Sequence, residues 1–289
     1  MTGEESMKRY FTMTVDVDPP FSPIQNFIIV KGVISLLDLF DQHAIKATFF
    51  VPAVVAENFP KIINEIAKRN HEIACHGLKH DPEETALNVN KQIWVIKTAT
   101  EIINSVTGVK PVGYRAPLFR ANKDCWKALQ KNGYMYDSSL IGFPSIRKYR
   151  ACLQMHPFSF KIYNSSIRVN EGFHLLELPV STNPILPFPL GGGWLRILGL
   201  KWAKIGVKMN FLSKTPVVFY IHPKDVVAVQ TPGLFWYNYR NTANGLRMLD
   251  KIIEYAKSYE AEFLTAYELV RLYKNKFENL RPVVSLNFS

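Results

Sequence analysis

The chain is short of cysteine, poor in acidic residues and without a long apolar run. Its three cysteines, Cys75, Cys125 and Cys152, are odd in number and lack CxxC spacing, which argues against a disulfide framework or a cysteine-rich zinc site. Cys75 adjoins a histidine, but neighbours along a strand face opposite ways, so it reads as core. The longer apolar stretches are cut by Lys31, Asp38, Arg196 and Lys201, or by proline and glycine. No segment therefore reads as a membrane-spanning helix. The opening Met1-Thr-Gly-Glu-Glu-Ser is polar and acidic, unlike a secretory leader, and the expected location is the cytoplasm.

The deficit of acid, 24 Asp and Glu against 35 Lys and Arg, leaves a formal charge of +11. Such a balance suits an anionic partner, such as a phosphate-bearing substrate or a membrane surface. Nucleic acid is not expected: there is no basic-aromatic cluster, zinc finger or RNA-binding signature.

What is present is a folded globule: 289 residues, 47% hydrophobic and 13% aromatic, enough for a large core and read as one domain over 1–289. Short β-like runs alternate with amphipathic ones. Strands are expected at 10–17, 46–51, 71–76, a short one ending near Arg115, 134–137, 174–178, 216–222 and 262–265. Helices are expected at 26–43, 57–69, 83–107, 122–132, 241–258 and from 266. Repeated β-then-α units imply a parallel sheet, and so many short units suggest a barrel. The alternative is an open doubly wound sheet, but no Gly-x-Gly-x-x-Gly follows the first strand. Two stretches, 138–173 and 181–215, break the rhythm and read as excursions that roof a site.

Chemistry concentrates in two short patterns. Asp16 and Asp18 end the run Tyr-Phe-Thr-Met-Thr-Val-Asp-Val-Asp (10–18), and strand parity puts them on one face. Pro19-Pro20 keeps the strand from simply continuing. His76 and His80 lie in Cys-His-Gly-Leu-Lys-His (75–80) and share a face if that segment makes one helical turn. Two imidazoles and one carboxylate make a three-ligand metal site with open positions, and the second carboxylate is spare for proton transfer. The plainer reading of Asp16 is a strand-end cap.

Thr-Val-Asp-Val-Asp, His-Gly-Leu-Lys-His, Gly-Tyr-Arg-Ala-Pro (113–117) and Phe-Tyr-Ile-His-Pro (219–223), in that order, resemble the polysaccharide deacetylase family. Its catalytic unit is the NodB-homology domain, carbohydrate esterase family 4. Tyr-Asp-Ser-Ser (136–139), Gly-Gly-Gly-Trp-Leu-Arg (191–196) and Tyr-Ile-His-Pro-Lys-Asp (220–225) are similar to its cytoplasmic exopolysaccharide-locus branch. The resemblance spans about residues 10 to 272. It implies an α/β fold, a distorted (β/α)7 barrel with the active site at the carboxyl ends of the strands. The implied reaction is metal-dependent removal of an N-acetyl or N-formyl group from an amino sugar, free or linked to lipid or nucleotide.

On that resemblance Asp18, His76 and His80 hold one divalent ion, zinc foremost, with cobalt, nickel, manganese or iron as alternatives. Asp16 is the general base, Arg115 pairs with it, and His222 protonates the departing amine, an unprotonated amine being a poor leaving group. For Arg115 the bland alternative is a surface arginine, and for His222 a satisfied core histidine. Asp137 and Asp225 are candidates to orient His222. Pro117, Tyr114, Asp137, Gly192 and Trp194 are expected on the substrate side. His43, His71, His156 and His174 match no motif and read as structural or surface residues. Two departures stand out. Gly77 replaces the usual Ser or Thr after the first histidine, removing a loop-stabilising hydroxyl. Asp18 falls one residue later than in the commonest pattern, which a bulge could accommodate.

Residues 194–208 carry two readings. If helical, Lys201, Lys204 and Lys208 cluster on one face, and such a helix can lie on a membrane. The preferred reading is a barrel helix with a solvated lysine face, weakened by Gly199 and Gly206. Two rival functions share the same barrel: an allantoinase-like amidase acting on a non-sugar, and a catalytically silent glycan-binding barrel.

Overall fold

The computed structural model describes residues 8–20, 26–143, 162–164, 168–169, 175–228 and 240–279. The chain starts with β1 (Tyr10–Asp16) and α1 (Asn26–Gln42), then β2 (Thr48–Val51), α2 (Ala53–Asn58), α3 (Pro60–Lys68) and β3 (Glu72–Cys75). Next come α4 (Val89–Thr107), β4 (Gly113–Tyr114), α5 (Lys123–Lys131), β5 (Tyr136–Asp137), β6 (Ile141–Phe143), β7 (Ile162–Asn164), β8 (Arg168–Val169) and β9 (Leu176–Glu177). The remainder is α6 (Gly192–Leu212), β10 (Val217–Ile221), α7 (Thr242–Lys257), β11 (Glu262–Phe263) and α8 (Ala266–Asn279).

The main sheet runs β10-β1-β2-β3-β4-β5-β9-β8, with β11 branching from β1. Every pairing from β10 to β9 is parallel, and only β8 against β9 is antiparallel. The sheet curls until its ends meet: Ser181, just past β9, donates its N–H to Val218 O of β10 at 3.0 Å. Among the described residues, seven parallel strands thus form a distorted barrel.

Strand parity sorts the side chains into two cores. In β1, Phe11, Met13 and Val15 face the helices and join a large outer cluster with Leu36, Phe40 and Ile63. The alternate residues Thr12, Thr14 and Asp16 are buried as well, on the opposite face. A second cluster contains Phe50, Ala74, Tyr136 and Val218 from four strands together with Ala266, Leu269 and Val270 of α8. Helix α8 thus closes the barrel's amino end. Its first turn is tied to the strands: Ala266 N donates to Thr48 Oγ1 and Tyr267 N to Glu72 Oε2. Asp16 is the last residue of its strand on the interior side, which puts chemistry at the open carboxyl end.

Several boundaries differ from the periodicity reading. The helix expected at 57–69 is two helices, because Phe59 leaves helical geometry (φ −128°, ψ 47°) just before Pro60. The one expected from 83 starts at 89, where Asn88 in extended geometry caps Lys91 N. Most of 181–215, read as an excursion, is helix α6, interrupted at Gly199 (φ 85°). Cys75 is buried core, its thiol pushed up to about 12 by burial, whereas Cys152, His156 and His174 lie outside the described residues. His43 pairs with Asp250 at 2.8 Å.

His71 is buried, accepts Ala47 N–H on Nδ1 at 3.0 Å and has no hydrogen-bond partner for Nε2 among the described residues. Burial, with Lys46 nearby, lowers its pKa to about 4. A depressed histidine stabilises the fold fully above its unfolded value of about 6.5 and loses that contribution as pH falls toward 4, about 3 kcal/mol in all. Urea unfolding at neutral and acid pH should show this acid loss in the native protein and a shallower one in His71→Leu. Parallel pH slopes would exclude the assignment.

Candidate metal centre and its surroundings

Asp18 lies two residues beyond the end of β1. Its neighbour Val17 is buried in the outer core, so parity turns Asp18 to the side of Asp16. Asp18 Oδ1 sits 3.1 Å from His80 Nε2 and 3.6 Å from His76 Nε2. Ligand atoms of the three residues all fall within 4.8 Å of one another.

The histidine pair converges without the helical turn that its spacing suggested. β3 ends at Cys75, and 76–80 is a loop with left-handed backbone at Gly77 (φ 83°) and His80 (φ 63°). Glu84 takes the place of the absent hydroxyl. Its carboxylate accepts Leu78 N at 2.8 Å, Lys79 N at 2.6 Å and Asp81 N at 3.3 Å. A Cβ at position 77 would lie 2.8 Å from Glu84 Oε2 and 3.1 Å from Pro117 Cγ, so glycine serves both the positive φ and the close approach. Pro117 props the same loop.

The centre passes the test for a cation. His76 Nδ1 lies 2.7 Å from the carbonyl of Arg115, which makes it the donor and leaves Nε2 a lone pair aimed at Asp18. Asp18 Oδ1 is buried without a hydrogen-bond donor among the described residues. A carboxylate oxygen facing the His76 lone pair and the His80 ring nitrogen suits a positive charge between them, and one oxygen with two nitrogens is a set that zinc and its neighbours accept.

The second oxygen of Asp18 meets Lys224 Nζ at 3.2 Å and His222 Nε2 at 3.5 Å. Burial raises the Asp18 carboxyl, but the charges of His222 and Lys224 and the two metal-side imidazoles outweigh it and hold it well below the usual range. His222 follows β10 and opens the short turn Pro223–Asp225, whose Asp225 Oδ2 accepts His222 N at 2.9 Å and lies 3.2 Å from its Nδ1. Burial opposes ionisation of Asp225, yet His222 and Arg196 hold it below the carboxylate range. Arg196 Nε and Nη2 both donate to its other oxygen, at 3.0 and 2.6 Å.

Arg115 is fully buried. Its Nη1 donates to Asp16 Oδ1 at 2.6 Å and to Thr14 Oγ1 at 3.0 Å, while Nε and Nη2 donate to Ser138 O and Oγ. The guanidinium also lies 4.1 Å from the Phe50 ring centre. Four directions are fixed at once, so the Asp16 carboxylate has one orientation.

The structure brings Asp16, Asp18, His76, His80, Arg115 and His222 to one end of the barrel. Of the five residues expected on the substrate side, Pro117 lies against Gly77 of the histidine loop, and the other four make the following contacts. Tyr114, 2% exposed, turns into the outer core edge-on to Tyr134. Asp137 accepts from Ser139 Oγ and Trp126 Nε1, and burial raises its pKa to about 6; Asp225, not Asp137, meets His222. Gly192 packs against Asp225, where a Cβ would come 2.4 Å from Oδ2. Trp194 stacks on Phe188 at 4.1 Å. Pattern reading missed Glu84, Arg196, Ser138 and Lys224. Of these, Ser138, Arg196 and Lys224 had a signal, each standing within a motif quoted above.

Residues 4–136 match the family model Polysaccharide deacetylase, and 142–270 match Domain of unknown function (DUF3473). Both segments supply strands to the one curled sheet. A peptidoglycan deacetylase-like protein of Gibberella zeae, FGM2, is 37% identical over 113 residues, 38% of this chain and 33% of that protein. The chain spans about a third of the length of the curated relatives it matches. A solved putative polysaccharide deacetylase from Mycobacterium smegmatis superposes with a TM-score of 0.69 at 20% identity, covering 100% of this chain and 97% of that one. Puue allantoinase superposes at 0.67 with 15% identity, covering 98% and 94%. Identities this low speak for the fold alone, whereas the motifs and the family match speak for descent. Residues 4–136, a little under half of the chain, are thus similar to the polysaccharide deacetylase family, the NodB-homology group of carbohydrate esterase family 4.

Proposed function

We propose that this chain is a metal-dependent hydrolase that removes an N-acyl group, acetyl foremost, from an amino sugar. The observation that carries the reading is the division of labour at Asp18. One oxygen faces His76 and His80, and the other faces His222 and Lys224. Bound by Asp18, His76 and His80, a divalent ion would acidify water and polarise the amide carbonyl.

Asp16, held by Arg115, accepts the proton of the attacking water as the new carbon–oxygen bond forms. His222 gives a proton to the amide nitrogen as the carbon–nitrogen bond breaks, releasing carboxylate and free amine. Asp225 keeps the donor ring in one orientation and stabilises its cationic form by charge. Glycan binding alone would need neither base nor acid, which speaks against a silent barrel. Relatives named for peptidoglycan and chitooligosaccharide suggest an N-acetylglucosamine-containing substrate. Among the described residues, no helix is long and apolar enough to cross a membrane.

The test is acetate and formate release by zinc-loaded protein from N-acetylglucosamine oligomers, nucleotide-linked N-acyl sugars and allantoin. Acetate from a sugar, lost on chelation and restored by metal, is the expected result. His80→Ala should lose the metal together with the activity. Ring opening of allantoin without release from any sugar would replace this reading with the amidase.

A further inference from the structure

From Glu177 to Asp225 the chain has no acidic residue between them, yet it carries Arg196, Lys201, Lys204, Lys208, Lys214 and Lys224. Beyond its break at Gly199, α6 is sharply two-sided. Trp202, Ala203, Val207 and Phe211 are buried against the barrel. The opposite stripe, Lys201, Ile205, Lys208 and Leu212, is exposed at intervals of four, three and four residues, which keeps it on one face. Ile205 is 43% and Leu212 63% exposed. A barrel helix that has already buried one apolar face has no folding reason to carry large aliphatics on the other.

Two further features neighbour α6. Ile185 and Leu186, 67% and 48% exposed, lie on the loop whose Leu186 carbonyl is 3.4 Å from Trp202 Nε1. A cavity of about 250 Å³ is lined by Leu212, Lys8, Arg9 and Lys214 among others, with no carboxylate among the described residues of its wall. Lys8 reaches Glu262 at 3.5 Å and Arg9 donates to Tyr259 O. Lys204, the third lysine of α6, is not on the stripe; it lies over the Tyr255 ring at 5.0 Å.

We propose that this face docks the protein on an anionic lipid surface. Lys201, Lys208 and Lys214 would meet the headgroups, the basic cavity would take a lipid phosphate, and Ile205, Leu212 and the Ile185–Leu186 tip would enter the acyl boundary. Cations alone would suit any polyanion. The exposed aliphatics interleaved with them select lipid, because only a bilayer offers anionic and apolar layers in register. The inference does not depend on the proposed chemistry.

The experiment is co-sedimentation of the full chain with phosphatidylcholine vesicles, with and without phosphatidylglycerol. Binding is expected only with the anionic lipid. It should weaken about fivefold for each of Lys201→Gln, Lys208→Gln and Lys214→Gln. The pair Ile205→Ser and Leu212→Ser should cost about tenfold or more. Circular dichroism and the thermal midpoint establish that each variant is folded. Absence of binding to the anionic vesicles would overturn the proposal. So would binding that the lysine variants lose but the serine pair keeps, which would assign the face to a soluble polyanion.

Discussion

Asp16→Asn is expected to lower kcat by about 10³-fold while leaving the metal content at the native level. Asparagine matches aspartate in shape and can still accept from Arg115 Nη1, now 2.6 Å away, so the pocket survives while its proton acceptor is lost. The residue is 2% exposed and is not one of the three candidate ligands, which are Asp18, His76 and His80. Turnover with metal-loaded protein, set beside metal analysis of the same sample, separates the two effects. A kcat within tenfold of native would remove Asp16 from the role of base. Loss of metal along with activity would instead make it part of the centre.

Arg115→Met is expected to destabilise the fold by about 3–5 kcal/mol, because it leaves a buried carboxylate without its cation. The same change removes the donor that Ser138 O and Oγ and Thr14 Oγ1 now share, leaving those hydroxyls only their own bonds to Leu178 O and Phe219 O. It also removes the stack on Phe50. Adding Asp16→Asn to Arg115→Met should recover part of the loss, since the stranded charge is then gone. Urea unfolding of the two single variants and the double variant measures this coupling. A single Arg115→Met variant within about 1 kcal/mol of native would mean that the pair is far less buried in solution than its geometry states.

The motif residues were legible because each sits at the carboxyl end of an apolar strand, where period-two alternation says which side chains face inward. Asp16 follows that rule from within β1, and His222 follows β10. Their environment was not legible, since it comes from residues distant in sequence. Glu84 organises the histidine loop through main-chain nitrogens, and nothing in local spacing marks a carboxylate for that task. Arg196 reaches Asp225 across 29 positions. Helix α6 was hard to read because aliphatics occupy both its faces and three of its residues in 192–199 are glycine. The pairing of His76 with His80 looked helical at a spacing of four, but left-handed residues in a loop produce the same convergence.

The contact between His76 and the carbonyl of Arg115 has a consequence for how activity can be lost. Position 115 serves the two halves of the site with different parts of itself: its side chain grips Asp16, the proposed proton acceptor, and its main chain orients His76, a proposed ligand. Substitution reaches only the first. On the proposed roles, a change of the Arg115 side chain would loosen Asp16 while the main-chain contact that orients His76 stays in place.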